Sequence, residues 1–135
     1  MKSTLPTIGT LVAGLLTLAF ATHVAAATHT VAQAGFTFSP QALNVAAGDT
    51  VVWTWNSDSH TVTSGTGPED PAAGDLFDAP LTATNPSFSY VFGSAGTFPY
   101  FCRPHFLLGM TGTVEVEPGV PAETTNWGSV KRLFR

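Results

Sequence analysis

Charge is scarce in this chain. Aspartate, glutamate, lysine and arginine make up 10% of its 135 residues, and only five are lysine or arginine. So few cations cannot form the basic face that tracks a phosphate backbone, which excludes nucleic acid as a partner. Cysteine is scarcer still: Cys102 stands alone, so no internal disulfide can form. Helix-length apolar periodicity is missing from the body of the chain, which argues against helical bundles and α/β folds.

What the chain does have is apolar residues, 44% of the total, in short alternating runs. This is enough for one domain with a real core. The run from Thr28 to Phe38 reads as a strand that places Phe36 and Phe38 on one face, and Pro40 ends it. Ala42 to Ala46 is a second strand, and Gly48-Asp49 is a turn. Thr50 to Asn56 is the strongest strand, with Val51, Trp53 and Trp55 on one face. Trp53 is expected in the core, with a partner for its indole N–H. Ser64 to Pro86 reads as a long connection with a short strand or helical turn near Leu76-Phe77. Glu69, Asp70, Asp75 and Asp78 cluster there, which is the composition of an ordinary solvated loop. Ser87 to Phe92, Thr97 to Cys102 and Thr111 to Glu117 complete the strands. The pattern predicts an all-β Greek-key sandwich.

Chemistry concentrates in Tyr100-Phe101-Cys102-Arg103-Pro104-His105-Phe106-Leu107-Leu108-Gly109-Met110. A thiolate, an imidazole and a thioether stand here in Cys-x2-His-x4-Met spacing. His60 supplies a second imidazole, because it follows a core strand and precedes the β-rich Thr61-Val62-Thr63. One cysteine, two histidines and a weakly bound methionine form the ligand set of a type 1 copper site. Soft sulfur suits Cu(I), and imidazole suits both oxidation states. Pro104 stiffens the turn between Cys102 and His105, and Gly109 lets the chain bend before Met110. The metal ligands are thus read as His60, Cys102, His105 and Met110. His29 is read as no more than an adventitious metal contact near the N-terminus of the exported chain.

At these residues the sequence resembles the cupredoxins, the plastocyanin/azurin family of small blue copper proteins. The resemblance also covers Phe36-x-Phe38-x-Pro40, Gly48-Asp49-Thr50-Val51-Val52-Trp53, Ser59-His60-Thr61-Val62 and the approach from Gly96 to Tyr100. It runs from about Val31 to Glu117. It implies a Greek-key β-sandwich, a single type 1 copper and a one-electron carrier with His105 at the surface. Two positions depart from the family pattern. Thr61 stands where many members have an asparagine that ties the two ligand loops together. Phe101 stands where plastocyanins proper have tyrosine.

Composition argues against a copper-dependent enzyme. No histidine flanks Cys102, too few histidines remain for a three-copper centre, and a two-copper centre would need a second cysteine. The alternative that uses the same ligands is a periplasmic copper carrier or chaperone. Residues 1–27 read as a secretory signal peptide, with Lys2, the apolar run Leu11 to Phe20, and cleavage after Ala25-Ala26-Ala27. The expected product is exported to the periplasm or beyond the cell, as a monomer with no transmembrane span. Residues 28–119 form the copper-binding domain, and 120–135 a linker and short tail in which Trp127 to Arg135 mixes apolar and basic residues. Redox donor and acceptor proteins are expected to dock near His105, Phe106, Leu107 and Leu108, where an apolar patch permits dry, transient contact.

Overall fold

The computed structural model describes residues 25–119. The expected leader lies outside the described residues except for Ala25 to Ala27, and the expected linker and tail lie wholly outside them. Nine strands follow in chain order: β1 (Thr28–Ala34), β2 (Thr37–Ser39), β3 (Ala42–Ala46), β4 (Thr50–Thr54), β5 (His60–Ser64), β6 (Asp78–Leu81), β7 (Ser87–Val91), β8 (Gly96–Phe101) and β9 (Thr111–Glu117). They form two sheets, ordered β2-β1-β4-β7 and β3-β9-β8-β5-β6. β1 pairs with β4, and β3 with β9, in parallel; the other pairs are antiparallel. The chain crosses repeatedly from one sheet to the other, which is the predicted sandwich. Among the described residues no helix is long and apolar enough to cross a membrane.

The inner faces follow from alternation. Val31, Val51 and Trp53 project from one sheet and Val62, Leu81, Tyr100 and Val114 from the other, all essentially without exposure. Trp53 stacks on Phe88 at 5.7 Å and meets Tyr100 edge-on at 5.2 Å. These aromatic pairs add to the large apolar area that the rings bury. Among the described residues Trp53 Nε1 and the Tyr100 hydroxyl make no hydrogen bond of good geometry, yet the two act on each other: burial pushes the Tyr100 hydroxyl up to about 12, and the Trp53 indole N–H opposes that rise. Around Trp53 stand the rings of Phe77, Phe88, Phe92 and Tyr100, so Tyr100 is the polar neighbour that aromatic packing leaves to the indole. Gly112 lies opposite Tyr100 in the β8–β9 register. A Cβ at Gly112 would collide with the Tyr100 hydroxyl.

Two strands end earlier than their patterns suggest. The run from Thr28 to Phe38 folds back at Gly35, where φ is +58°. Phe38 is buried, but Phe36 sits at the bend, 48% exposed. β4 stops at Thr54, and the Trp55 indole N–H donates to the Asp58 carbonyl at 2.6 Å. The segment between β4 and β5 hangs on Gln33, a buried residue of β1. Its Oε1 accepts from the amides of Asn56 and Ser57 at 2.8 and 2.9 Å.

At the other end of β4, Asp49 gathers three donors. It accepts from the Ala27 amide at 2.8 Å and the Ala46 amide at 3.0 Å, and its Oδ2 lies 2.8 Å from His29 Nε2. The Ala27 amide first, then His29, hold its carboxyl down at about 2, against an ordinary 3.8. A carboxylate depressed in the fold stabilises it above its unfolded pKa, and the contribution is lost as pH falls through the folded value.

Two outcomes follow from these contacts. Gly112→Ala lowers stability by about 1–3 kcal/mol in urea unfolding, the ordinary cost of overpacking a filled core. Asp49→Asn lowers the thermal midpoint at neutral pH, and the gap from the parent protein narrows as pH drops from 3.8 toward about 2. A gap constant across that range would mean that the Asp49 carboxylate is not what joins β1 to β4.

Candidate metal centre

The five-stranded sheet aims three segments at one point. β8 runs antiparallel to both of its neighbours, β5 and β9. The start of β5, the end of β8 and the start of β9 therefore lie at the same end of the sheet. His60 is the first residue of β5, Cys102 directly follows β8, and Met110 directly precedes β9. His105 comes from the loop between β8 and β9. That loop is closed by its own backbone: the Cys102 amide donates to the Met110 carbonyl at 3.0 Å, and the His105 amide to the Cys102 carbonyl at 3.2 Å. A single 3₁₀ turn, Phe106–Leu108, ends at Gly109, whose φ of +81° favours glycine.

Three ligand atoms converge. Cys102 Sγ lies 3.6 Å from His60 Nδ1 and 3.4 Å from His105 Nδ1, and the two Nδ1 atoms are 3.1 Å apart. A point equidistant from the three would be about 2 Å from each, near the length of a metal–imidazole bond. Cys102 and Met110 are fully buried, His60 is nearly so, and His105 is half-buried. Burial first, then the neighbouring His105, hold His60 below the usual histidine range. A neutral imidazole is the form that can ligate a metal. The Thr61 amide donates to Cys102 Sγ at 3.4 Å. A thiol between two imidazoles, shut away from water, fits a copper ion.

All four residues singled out by sequence stand at this end of the sandwich. His29 does not join them; it lies against Asp49. Two contacts at this site, made by residues the sequence had singled out for other reasons, were not legible from it. Phe36 leans on the ligands, its ring centroid 4.7 Å from that of His105 and 6.4 Å from that of His60. Thr61 ties the ligand loops through its hydroxyl, which accepts from the Arg103 amide at 2.8 Å. The Ser-His-Thr-Val run carries no mark of that contact, because its other half lies 42 residues away.

The surface at His105 is apolar. Leu107 is 95% exposed and Leu108 63%. Phe106 turns inward against Gly67, where a Cβ would come within 2.6 Å of the Phe106 ring. Of the acidic residues on that side, Asp70 is occupied locally, accepting from the Thr66 and Ala72 amides. Asp78 is ion-paired with Arg103 at 2.7 Å.

Residues 25–117 match the family described as copper binding proteins, plastocyanin/azurin family. A plastocyanin of Scenedesmus fuscus is 36% identical over 88 residues, which are 59% of this chain and 86% of its own. A halocyanin of Natronomonas pharaonis is 35% identical over 86 residues, 62% of this chain and 50% of its own. Among solved structures, an oxidized mutant amicyanin superposes with a TM-score of 0.54 at 31% identity, covering 66% of this chain and 81% of that one.

Proposed function

The chain belongs to the plastocyanin/azurin family of copper-binding proteins, and from that premise we propose that it carries single electrons through one type 1 copper held by His60, Cys102, His105 and Met110. The observation that carries this reading is the triangle formed by Cys102 Sγ and the two histidine Nδ1 atoms, with sides of 3.1, 3.4 and 3.6 Å. Copper supplies the one-electron Cu(I)/Cu(II) couple. The chain would supply a soft thiolate from Cys102, imidazoles from His60 and His105, and a weakly bound thioether from Met110. Backbone bonds close the ligand loop, which would limit movement of its side chains as the charge of a bound ion changes.

His105 is the exit. It is the one member of the set that is not buried, and Leu107, Leu108 and Phe36 surround it with exposed apolar surface. Such a patch sheds water on contact and suits the small, short-lived interfaces of redox encounters. The donor and acceptor are redox proteins that dock there, the carrier acts as a monomer, and it works after export to the periplasm or beyond the cell. It carries electrons and is not a catalyst. Burial of His60, Cys102 and Met110 also disfavours ready handover of the metal, so the copper-carrier alternative gains no support.

On addition of Cu(II), the full chain should develop an intense blue thiolate-to-copper absorption band. Ascorbate should bleach it and ferricyanide restore it, and Cys102→Ser should lack it. A folded wild-type protein that stays colourless would sink the type 1 assignment. Replacing both Leu107 and Leu108 with alanine should leave that band in place while slowing electron transfer with a protein partner. Loss of the band instead would mean that these leucines build the site and do not serve as its docking face.

A further inference from the structure

Thr61 Oγ1 is one corner of a closed hydrogen-bonded ring. It accepts from the Arg103 amide at 2.8 Å and lies 3.0 Å from Thr63 Oγ1. Thr63 Oγ1 donates in turn to Asp78 Oδ1 at 2.8 Å. Asp78 also receives the Arg103 guanidinium, through Nε at 3.1 and 3.3 Å and Nη2 at 2.7 Å. The ring thus begins and ends on Arg103, the residue between Cys102 and Pro104 in the ligand loop.

The direction of every bond is fixed by the ends. An ionised carboxylate can only accept and a guanidinium can only donate. Thr63 must therefore give its proton to Asp78, and its oxygen is left to accept from Thr61. Thr61 in turn keeps lone-pair capacity for the Arg103 amide. Chains oriented this way strengthen each member bond. The guanidinium of Arg103 is the first cause that holds Asp78 below the usual carboxylate range, which keeps the accepting end ionised. The ion pair itself is about 41% exposed on each side, and exposed pairs add little to stability. Its consequence lies in orientation.

We propose that Asp78, Thr63, Thr61 and Arg103 form an orienting ring that locks the Cys102–His105 loop onto the His60 strand, with Asp78 acting as a remote positioning residue for the copper site. Asp78 touches none of the four proposed ligands; it acts through two hydroxyls. Gly74 makes room for it: a Cβ there would come within 3.2 Å of Arg103 Nη2 and 3.4 Å of Asp78 Oδ2. The ring spans β5, β6 and the loop after β8, the three segments whose relative placement brings His60 to Cys102. This inference rests on the copper reading above.

The test is copper retention, followed as decay of the blue band in excess chelator, for the wild-type chain and four variants. Asp78→Asn removes the ionised acceptor and keeps the shape. Thr61→Val removes the hydroxyl and keeps the shape, whereas Thr61→Ser keeps the hydroxyl. The fourth variant combines Asp78→Asn with Thr61→Val. Partners that orient metal ligands typically change affinity by about 10–100-fold. Asp78→Asn and Thr61→Val should each speed copper loss within that range, and Thr61→Ser should match the wild type. The double variant should be no worse than the worse single one, since both break the same ring. Fully additive losses, or wild-type retention in Asp78→Asn, would overturn the ring. Thermal midpoints of the metal-free variants provide the control: a drop there that accounts for the faster loss would assign Asp78 to general stability and overturn the positioning role. A wild-type protein with no blue band would instead remove the copper reading itself, so the two failures are distinguishable.

Discussion

Three electron-rich atoms held within 4.8 Å of one another in a water-poor pocket are the constraint on which the molecule depends. Without a cation between them, a sulfur and two imidazole nitrogens gain little from such crowding, and burial withholds the solvent that would separate them. The polypeptide must therefore hold them in place. It does so by giving each ligand a different anchor in one continuous sheet. His60 opens β5, Cys102 directly follows β8 and Met110 directly precedes β9. Since these strands are adjacent and alternate in direction, a single sheet end carries all three. The aromatic cluster around Trp53 fixes that sheet against its partner, and Gln33 reaches across from β1 to hold the approach to His60.

Electrostatics is used sparingly and locally. Of the five lysines and arginines in the sequence, Arg103 alone falls within residues 25–119. It is bound to Asp78 beside the ligand loop, with its guanidinium 5.8 Å from the centre of the Phe101 ring. Asp49 is satisfied by main-chain donors at the opposite end of β4 from the segment that delivers His60. The face around His105 is left to Leu107, Leu108 and Phe36. Charge thus serves to fasten loops and strand ends, while the surface nearest the proposed exit is apolar.

The strands and the metal-ligand spacing were legible because both are local. Alternation reports which face is buried, and Cys-x2-His-x4-Met lies within nine consecutive residues. The break at Gly35 was not legible, since a glycine within an alternating run is compatible with either a strand or a bend, and only the pairing of β1 with β2 decides. Phe36 consequently reads as core by pattern and stands on the rim in the fold. The core position of Trp53 was legible, but its ring neighbours, contributed by β7 and β8 and the approach to β6, were not. The tie between Thr61 and Arg103 spans 42 residues and the one between Gln33 and Asn56 spans 23. No spacing rule reports a contact between segments that become neighbours only after folding.

The parallel pairing of β3 with β9 joins Ala42–Ala46 to Thr113–Glu117, so the five-stranded sheet is complete only when its first and last strands in sequence have met. Non-local pairing of this kind must wait for loop closure, which makes such topologies slow to complete. The residues up to Met110 include all four proposed ligands, yet β9, the strand that joins β3 to β8, lies beyond them. Full coordination of the proposed copper would therefore depend on the register of β9 between β3 and β8, a long-range feature of the sheet as well as a matter of ligand chemistry.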